Sequence, residues 1–206
     1  MFNLTELQHD ALVEIFNIGV GHAARSMSEI VNEPVTMSVP SISFLTRAAA
    51  AAMLGHRESG RVCGVSQHYQ GAFSTQAMLM FPEDKSLDIV RLMVGESVPL
   101  KELTEMEQEA MSEIGNIILN SCVGTLANVL SQELSGSLPE YHVGTSEEIL
   151  DADGQASDAI VLMLHIDFIL ETHQIHGYVA FILDLTALQD LQAQLDIYLA
   201  KIMGPI

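Results

Sequence analysis

Two constellations of carboxylate and carboxamide residues could do chemistry in this chain. Asp10, Glu14 and Asn17 are spaced by four and three. At about 100° per residue they form one stripe of a helix, a quarter turn off the apolar stripe. It continues through Gly21, Ala24 and Ser28, whose small side chains leave a surface that a partner backbone can approach. A second stripe runs through Glu109, Glu113, Asn116, Asn120, Val123 and Ala127. A carboxylate offers an acceptor to a cation, and a carboxamide donates and accepts without titrating. Asn is a mediocre helix-interior residue, because its side chain competes for backbone hydrogen bonds. A mid-helix Asn that occurs twice, each time three residues after a Glu, argues against an ordinary solvated face.

The elements that carry these residues repeat. With an offset of 99, Leu4-Thr5-Glu6 falls on Leu103-Thr104-Glu105, and Ala11, Glu14, Ile15, Asn17 and Ile18 fall on identical residues. The offset holds without a gap to Pro40 on Pro139. Thr5 with Gln8, and Thr104 with Glu107, have capping-box spacing. Apolar residues at Leu4, Leu7, Ala11, Ile15 and Ile18 predict a helix over about 6–31, ended before Pro34, with a partner over about 105–132 that stops near Ser135-Gly136. Val35–Phe44, Gly60–His68, Ala72–Phe81, Tyr141–Ile149, Ala159–Phe168 and Ile175–Leu183 read as strands, and Lys85–Val94 (closed by Gly95) and Thr186–Ile202 as helices. Each half is thus helix, three strands, helix. An Ala-rich helix, Arg47–Leu54, is expected in the first half alone, opposed in the second by a turn at Asp151-Ala152-Asp153-Gly154. No Pro- or Ser-rich linker divides the halves. The expectation is an α+β fold in one domain, 1–206, built from two repeats (about 4–98 and 103–203). A pseudo-two-fold, six-stranded sheet would carry both long helices on one side.

Composition narrows the function. The 206 residues are nearly half apolar, enough for a real core. Eight Lys+Arg stand against 27 Asp+Glu, a net charge of −19. Such a surface repels phosphate backbones and anionic lipid, which argues against nucleic acid and membrane partners and favours a protein that presents a Lys. The N-terminus lacks a basic, then apolar, targeting pattern, and Cys63 and Cys122 form no CxxC. The first gives no sign of a targeting segment, and the second fits a reducing cytoplasm and argues against a cysteine-based zinc or redox site. Gly19-Val20-Gly21-His22 lacks the Lys of a phosphate loop. His173 and His176 would face opposite sides of a strand, so they do not share a metal. Asp151 and Asp153 fail the ligand spacing of a calcium loop.

Asp or Ser, three residues, Glu, two residues, Asn, twenty-two residues, then Pro resembles the signature of the CheC/CheX/FliY phosphatases. Asp10, Glu14, Asn17 and Pro40 match every position. Glu113, Asn116 and Pro139 match a second copy, with Glu109 where Asp or Ser is expected. Two copies resemble CheC or FliY, and the end at Ile206 leads to an expectation of CheC over FliY, which carries a further domain. The resemblance implies hydrolysis of the aspartyl phosphate on a phosphorylated CheY-like response regulator, in chemotaxis or related two-component signalling. Asn17 and Asn116 would orient the attacking water. Glu14 and Glu113 would pair with the regulator's Lys, Asp10 and Glu109 would support them, and Pro40 and Pro139 would shape the following strands. No cofactor of the chain's own is implied; Mg²⁺ would sit on the regulator. CheD is a further partner of some members. The alternative is a non-catalytic adaptor that binds a response regulator or CheD.

Overall fold

The computed structural model describes residues 4–55, 61–94, 99–151, 159–170 and 173–203. Its elements, in chain order, are α1 (Glu6–Val31), β1 (Val35–Thr46), α2 (Arg47–Gly55), β2 (Arg61–Gly71), β3 (Thr75–Pro82), α3 (Glu83–Val94), α4 (Leu100–Leu130), β4 (Leu134–Gly136), β5 (Glu140–Thr145), α5 (Ser146–Leu150), β6 (Ile160–Leu170), β7 (His173–Leu183) and α6 (Leu185–Met203). The strands form one antiparallel sheet in the order β1-β6-β7-β3-β2-β4, with β5 also on β2. The architecture is α+β, as expected. The described residues form seven strands rather than six, because the strand after α4 is broken in two.

The sheet is laced rather than split. The first strand after each long helix pairs not with its own hairpin but with that of the other half: β1 on β6, and β4 and β5 on β2. Registers recur at fixed offsets. Met37 pairs with Phe168 and Ser41 with His165; 99 residues on, Gly136 pairs with Tyr69 and Glu140 with Ser66. Both ladders therefore slip by one residue at the same place, around Val39-Pro40 and Leu138-Pro139. Proline has no N–H to give a ladder, so a slip at a proline is physically natural. In the hairpins Val62 pairs with Pro82 and Val161 with Ile182. The offset there is 99 for β2 and β6 but 100 for β3 and β7, one residue having entered the second hairpin.

Period-two alternation gives the sheet two apolar faces. One face lies under α1, α3, α4 and α6, in a core that includes Phe16, Ile114, Leu119, Val65, Leu79, Phe81, Leu164, Phe168 and Leu188. The other face, with Met78, Met80, Val161, Met163 and Ala180, is covered by α2 and α5. Cys63 and Cys122 are both buried, which pushes their thiols up to about 12. They are inert core residues, as small apolar side chains would be.

Three sequence expectations give way. Thr104 does not cap α4. The helix begins a turn earlier at Leu100, because Leu103 is fully buried. Thr104 bonds back to Leu100 O, and Glu107 accepts from Ser86 Oγ (2.6 Å) and the Tyr141 hydroxyl (2.9 Å) instead. By contrast, the Thr5–Gln8 capping box forms. The strand expected over Tyr141–Ile149 stops at Thr145, which opens α5 through a capping box with Glu148. The second half therefore has a counterpart of the Ala-rich helix α2, carrying Ile149 and Leu150 into the second core. Ser135-Gly136 lies in β4, and α4 ends at the left-handed Ser131, as α1 ends at the left-handed Asn32. Gly60, Gly95 and the Ala152-Asp153-Gly154 part of the expected turn lie outside the described residues.

Gly115 sets how closely α4 lies on the sheet. A Cβ there would run into the Val65 side chain, whereas a Cβ on Gly124 would meet nothing within 4 Å. Gly115→Ala should therefore cost about 1–3 kcal/mol through overpacking. Gly124→Ala should gain about 0.5–1 kcal/mol from helix propensity. Urea unfolding of the two variants measures the contrast.

Candidate functional site

The slip at Val39-Pro40 leaves backbone groups without ladder partners, and α1 supplies them from a side chain. Asn17 Oδ1 accepts from Val39 N–H at 2.9 Å, and its Nδ2 donates to Val39 O at 3.3 Å and to Val13 O at 3.0 Å. The carboxamide thus stands in for a missing strand. Three turns further along α1, Ser28 Oγ accepts from Val35 N–H at 2.9 Å and donates to Ala24 O. Asn17 and Ser28 together tie α1 to β1.

The second copy solves the same problem with different residues. At Ser137-Leu138-Pro139, Gln67 of β2 donates from Nε2 to Ser137 O at 2.9 Å, Ser137 N–H donates to His68 O, and His68 N–H donates to Ser137 Oγ. Asn116 is thereby freed from the strand. Its Oδ1 accepts from Asn120 Nδ2 at 2.7 Å and from Gln67 Nε2 at 3.3 Å. The Tyr69 hydroxyl, whose one hydrogen is shared, lies 3.0 Å from both Gln67 Oε1 and Asn120 Oδ1. Burial raises the Tyr69 phenol above its ordinary pKa, so it remains a donor throughout the physiological range. With its oxygen held by two donors, Asn116 has a fixed amide orientation. Its Nδ2 has no acceptor among the described residues. Asn17, in contrast, has both amide ends engaged.

Glu14 and Glu113 sit one turn before these amides, exposed, and neither has a hydrogen-bond or ion-pair partner among the described residues. Asp10 and Glu109 are exposed a further turn back, Asp10 lying 3.6 Å from the His9 ring. An open groove of about 710 Å³ runs beside the second constellation, walled by Glu105, Glu109, Glu113, Met106, Val94 and Pro139. Its three carboxylates give it a negative field. Pro40 is exposed and Pro139 half-buried, both at the ladder slips. The two constellations remain apart. Asn17 binds β1 and Asn116 binds β2, four strands away in the sheet order, or about 19 Å at ordinary strand spacing.

Both amides are half-buried, less exposed than their place off the apolar stripe implies, because each reaches down to the sheet. Sequence reasoning missed Gln67 and Tyr69, whose signal was available. They occupy core-facing positions of β2 where the matching residues of β6 are Ile166 and Phe168, and a polar residue on an apolar face needs a partner.

Known proteins resemble this chain in the same regions. The family model of the CheC-like family matches residues 7–44, which span Asp10, Glu14, Asn17 and Pro40. The CheY-P phosphatase CheC of Bacillus subtilis is 26% identical over 171 residues, 79% of this chain and 81% of that protein. The flagellar motor switch phosphatase FliY of the same organism is 24% identical over 143 residues, 68% of this chain and 37% of FliY. Among solved structures, Thermotoga maritima FliY superposes with a TM-score of 0.75 at 20% identity, over 96% of this chain and 100% of that one. A chain of the FliG–FliM complex from H. pylori gives 0.66 at 13% identity, over 92% and 100%. A chain of the CheX–CheY–BeF3–Mg complex from Borrelia burgdorferi gives 0.52 at 16%, over 84% and 98%. At these identities the structural likenesses establish the fold alone.

Helix propensity by itself favours Ala over Asn at position 17. The bonds to Val39 reverse that sign. Asn17→Ala strands a backbone N–H and should destabilise by about 1–3 kcal/mol, while Asn116→Ala, which breaks no bond to backbone, should cost less than half as much. Thermal unfolding of both variants checks the difference.

Proposed function

We propose, from its resemblance to the CheC-like family and to CheC and FliY, that this chain is a member of the CheC/CheX/FliY family and hydrolyses the aspartyl phosphate of a phosphorylated CheY-like response regulator. The observation that carries this reading is a pair of exposed glutamates, each one turn before a carboxamide of fixed orientation, on the two long helices. In the reaction, water attacks phosphorus and the P–O bond to the aspartate breaks. The aspartate carboxylate leaves with the electron pair, and inorganic phosphate is released. The acyl phosphate is intrinsically labile, so orientation of water is the main assistance required. A carboxamide provides it without titrating. A glutamate beside a phosphoryl dianion is a poor base, since like charges repel. Glu14 and Glu113 serve instead as acceptors for a Lys of the regulator, and the chain's −19 charge draws such a partner in. Mg²⁺ belongs to the regulator in this scheme. The shared fold of the CheX–CheY–BeF3–Mg complex supports such a partner.

The same reading takes 1–206 as one domain of two repeats, each carrying one site, at work in the cytoplasm. No described helix is long and apolar enough to cross a membrane. Asn116, whose Nδ2 has no acceptor among the described residues, is the better poised of the two. Asn17 must release Val13 or Val39 before it can hold water.

The second reading is a non-catalytic adaptor for a response regulator or CheD. It is favoured by the full engagement of Asn17 with backbone and by the FliM-containing structure that shares the fold. Loss of radiolabelled phosphoryl from a purified phosphorylated regulator separates the two. The wild type should accelerate the loss, Asn116→Ala should remove the larger share of the acceleration, and the Asn17→Ala/Asn116→Ala double variant should lose on the order of 10²-fold. No acceleration by the wild type would put the adaptor first.

A further inference from the structure

The face of the sheet turned away from the long helices carries a separate cluster of polar side chains. In the β6–β7 ladder Asp167 stands opposite His176 and His165 opposite Tyr178, so all four side chains leave the same face. His176 Nδ1 lies 2.7 Å from Asp167 Oδ1, and His165 Nε2 lies 3.8 Å from that same oxygen. One ligand atom from each of the three residues falls within 4.8 Å of the others. The His165 ring is stacked on Tyr178 at 5.3 Å and lies 5.5 Å from the His176 ring, so its orientation is fixed by neighbours. His165 and Asp167 are partly buried, and His176 opens to solvent.

We propose that His165, Asp167 and His176 bind one divalent first-row transition ion of the zinc type. Two imidazoles and one carboxylate are the donor set such ions take, with a fourth position left open to water or to a ligand from a partner. With metal–ligand bonds near 2.1 Å, two donors on a tetrahedral ion stand about 3.4 Å apart. The separations of 2.7 and 3.8 Å bracket that value, and the third pair lies within 4.8 Å. The chain's net charge of −19 raises the local concentration of any cation. Among the described residues the cluster occurs once. Its counterparts in the other half, at the offsets of the sheet register, are Ser66, His68 and Gln76, which do not form a ligand set. It also lies back to back with the Asn17 clamp. Asp167 pairs with Ser38 and His165 with Ser41, the two residues that bracket the slip at Val39-Pro40. A bound ion would brace β6 against the strand that Asn17 holds from the other side, without touching the reacting groups.

The test is isothermal titration of chelator-treated protein with Zn²⁺ alone, joined by the visible spectrum of the Co²⁺ form. One equivalent should bind the wild type and give the intense bands of a tetrahedral Co²⁺ site. His176→Gln and Asp167→Asn should each weaken Zn²⁺ binding by at least about tenfold and abolish those bands, while His68→Ala leaves both unchanged. Melting temperatures of the metal-free proteins verify folding. A wild type that takes up no Zn²⁺, a Co²⁺ spectrum no different from the aquo ion, or equal affinity in all four proteins would overturn the proposal. The wild-type spectrum keeps it refutable even if a variant fails to fold.

Discussion

A proline in a β-ladder withholds one hydrogen bond and shifts the register of the residues after it. Here that happens twice, at Pro40 and Pro139, in strands that join one half of the sheet to the other. The backbone groups left over need other partners, and at the buried Val39 an unmade hydrogen bond costs about 1–3 kcal/mol. A polar side chain must come down to meet them. At the first slip it is the Asn17 carboxamide; at the second it is Gln67, reaching across from β2. Asn17 is therefore held where it is by a defect in the sheet, and Asn116 rests on the Gln67 that fills the second one.

This shared origin accounts for the difference between the two constellations. Where a strand residue fills the gap, the helix Asn is released and rests its oxygen on Asn120 and Gln67. Where the matching strand residue is Ile166, the helix Asn has to fill the gap itself. Gly115 lets α4 settle on Val65, close enough for Gln67 to reach Asn116, while the matching position of α1 carries Phe16, stacked on Phe181 at 5.2 Å. One sequence change in a strand and one in a helix thus divide two similar motifs into a tethered and a poised form.

Much of this was legible in the sequence. The Glu–Asn spacing, the offset of 99 and the alternation of β2, β3, β6 and β7 point to the long helices and the sheet, because helical and strand periodicities leave direct traces. The ends of elements were less legible. Thr104 has the residues of a cap but lies inside α4, since burial of Leu103 outweighs a local signal. Thr145 and Glu148 form a true capping box within a segment that reads as a strand. The lacing of β1 onto β6, and the Asn17–Val39 bonds that depend on it, join residues by a tertiary pairing that no local pattern encodes. Gln67 and Tyr69 had a signal in their polarity, but its meaning depends on the strand facing α4.

The proposed division between anchor and water-orienting amide is tested most directly by steady-state dephosphorylation of a phosphorylated CheY-like regulator. Glu14→Ala/Glu113→Ala should raise KM and retain most of kcat, because an ion pair made before the reaction contributes to binding alike in ground and transition states. Asn17→Ala/Asn116→Ala should keep KM and lose kcat. Loss of kcat in the Glu variant, with kcat retained in the Asn variant, would reverse the roles and contradict the mechanism.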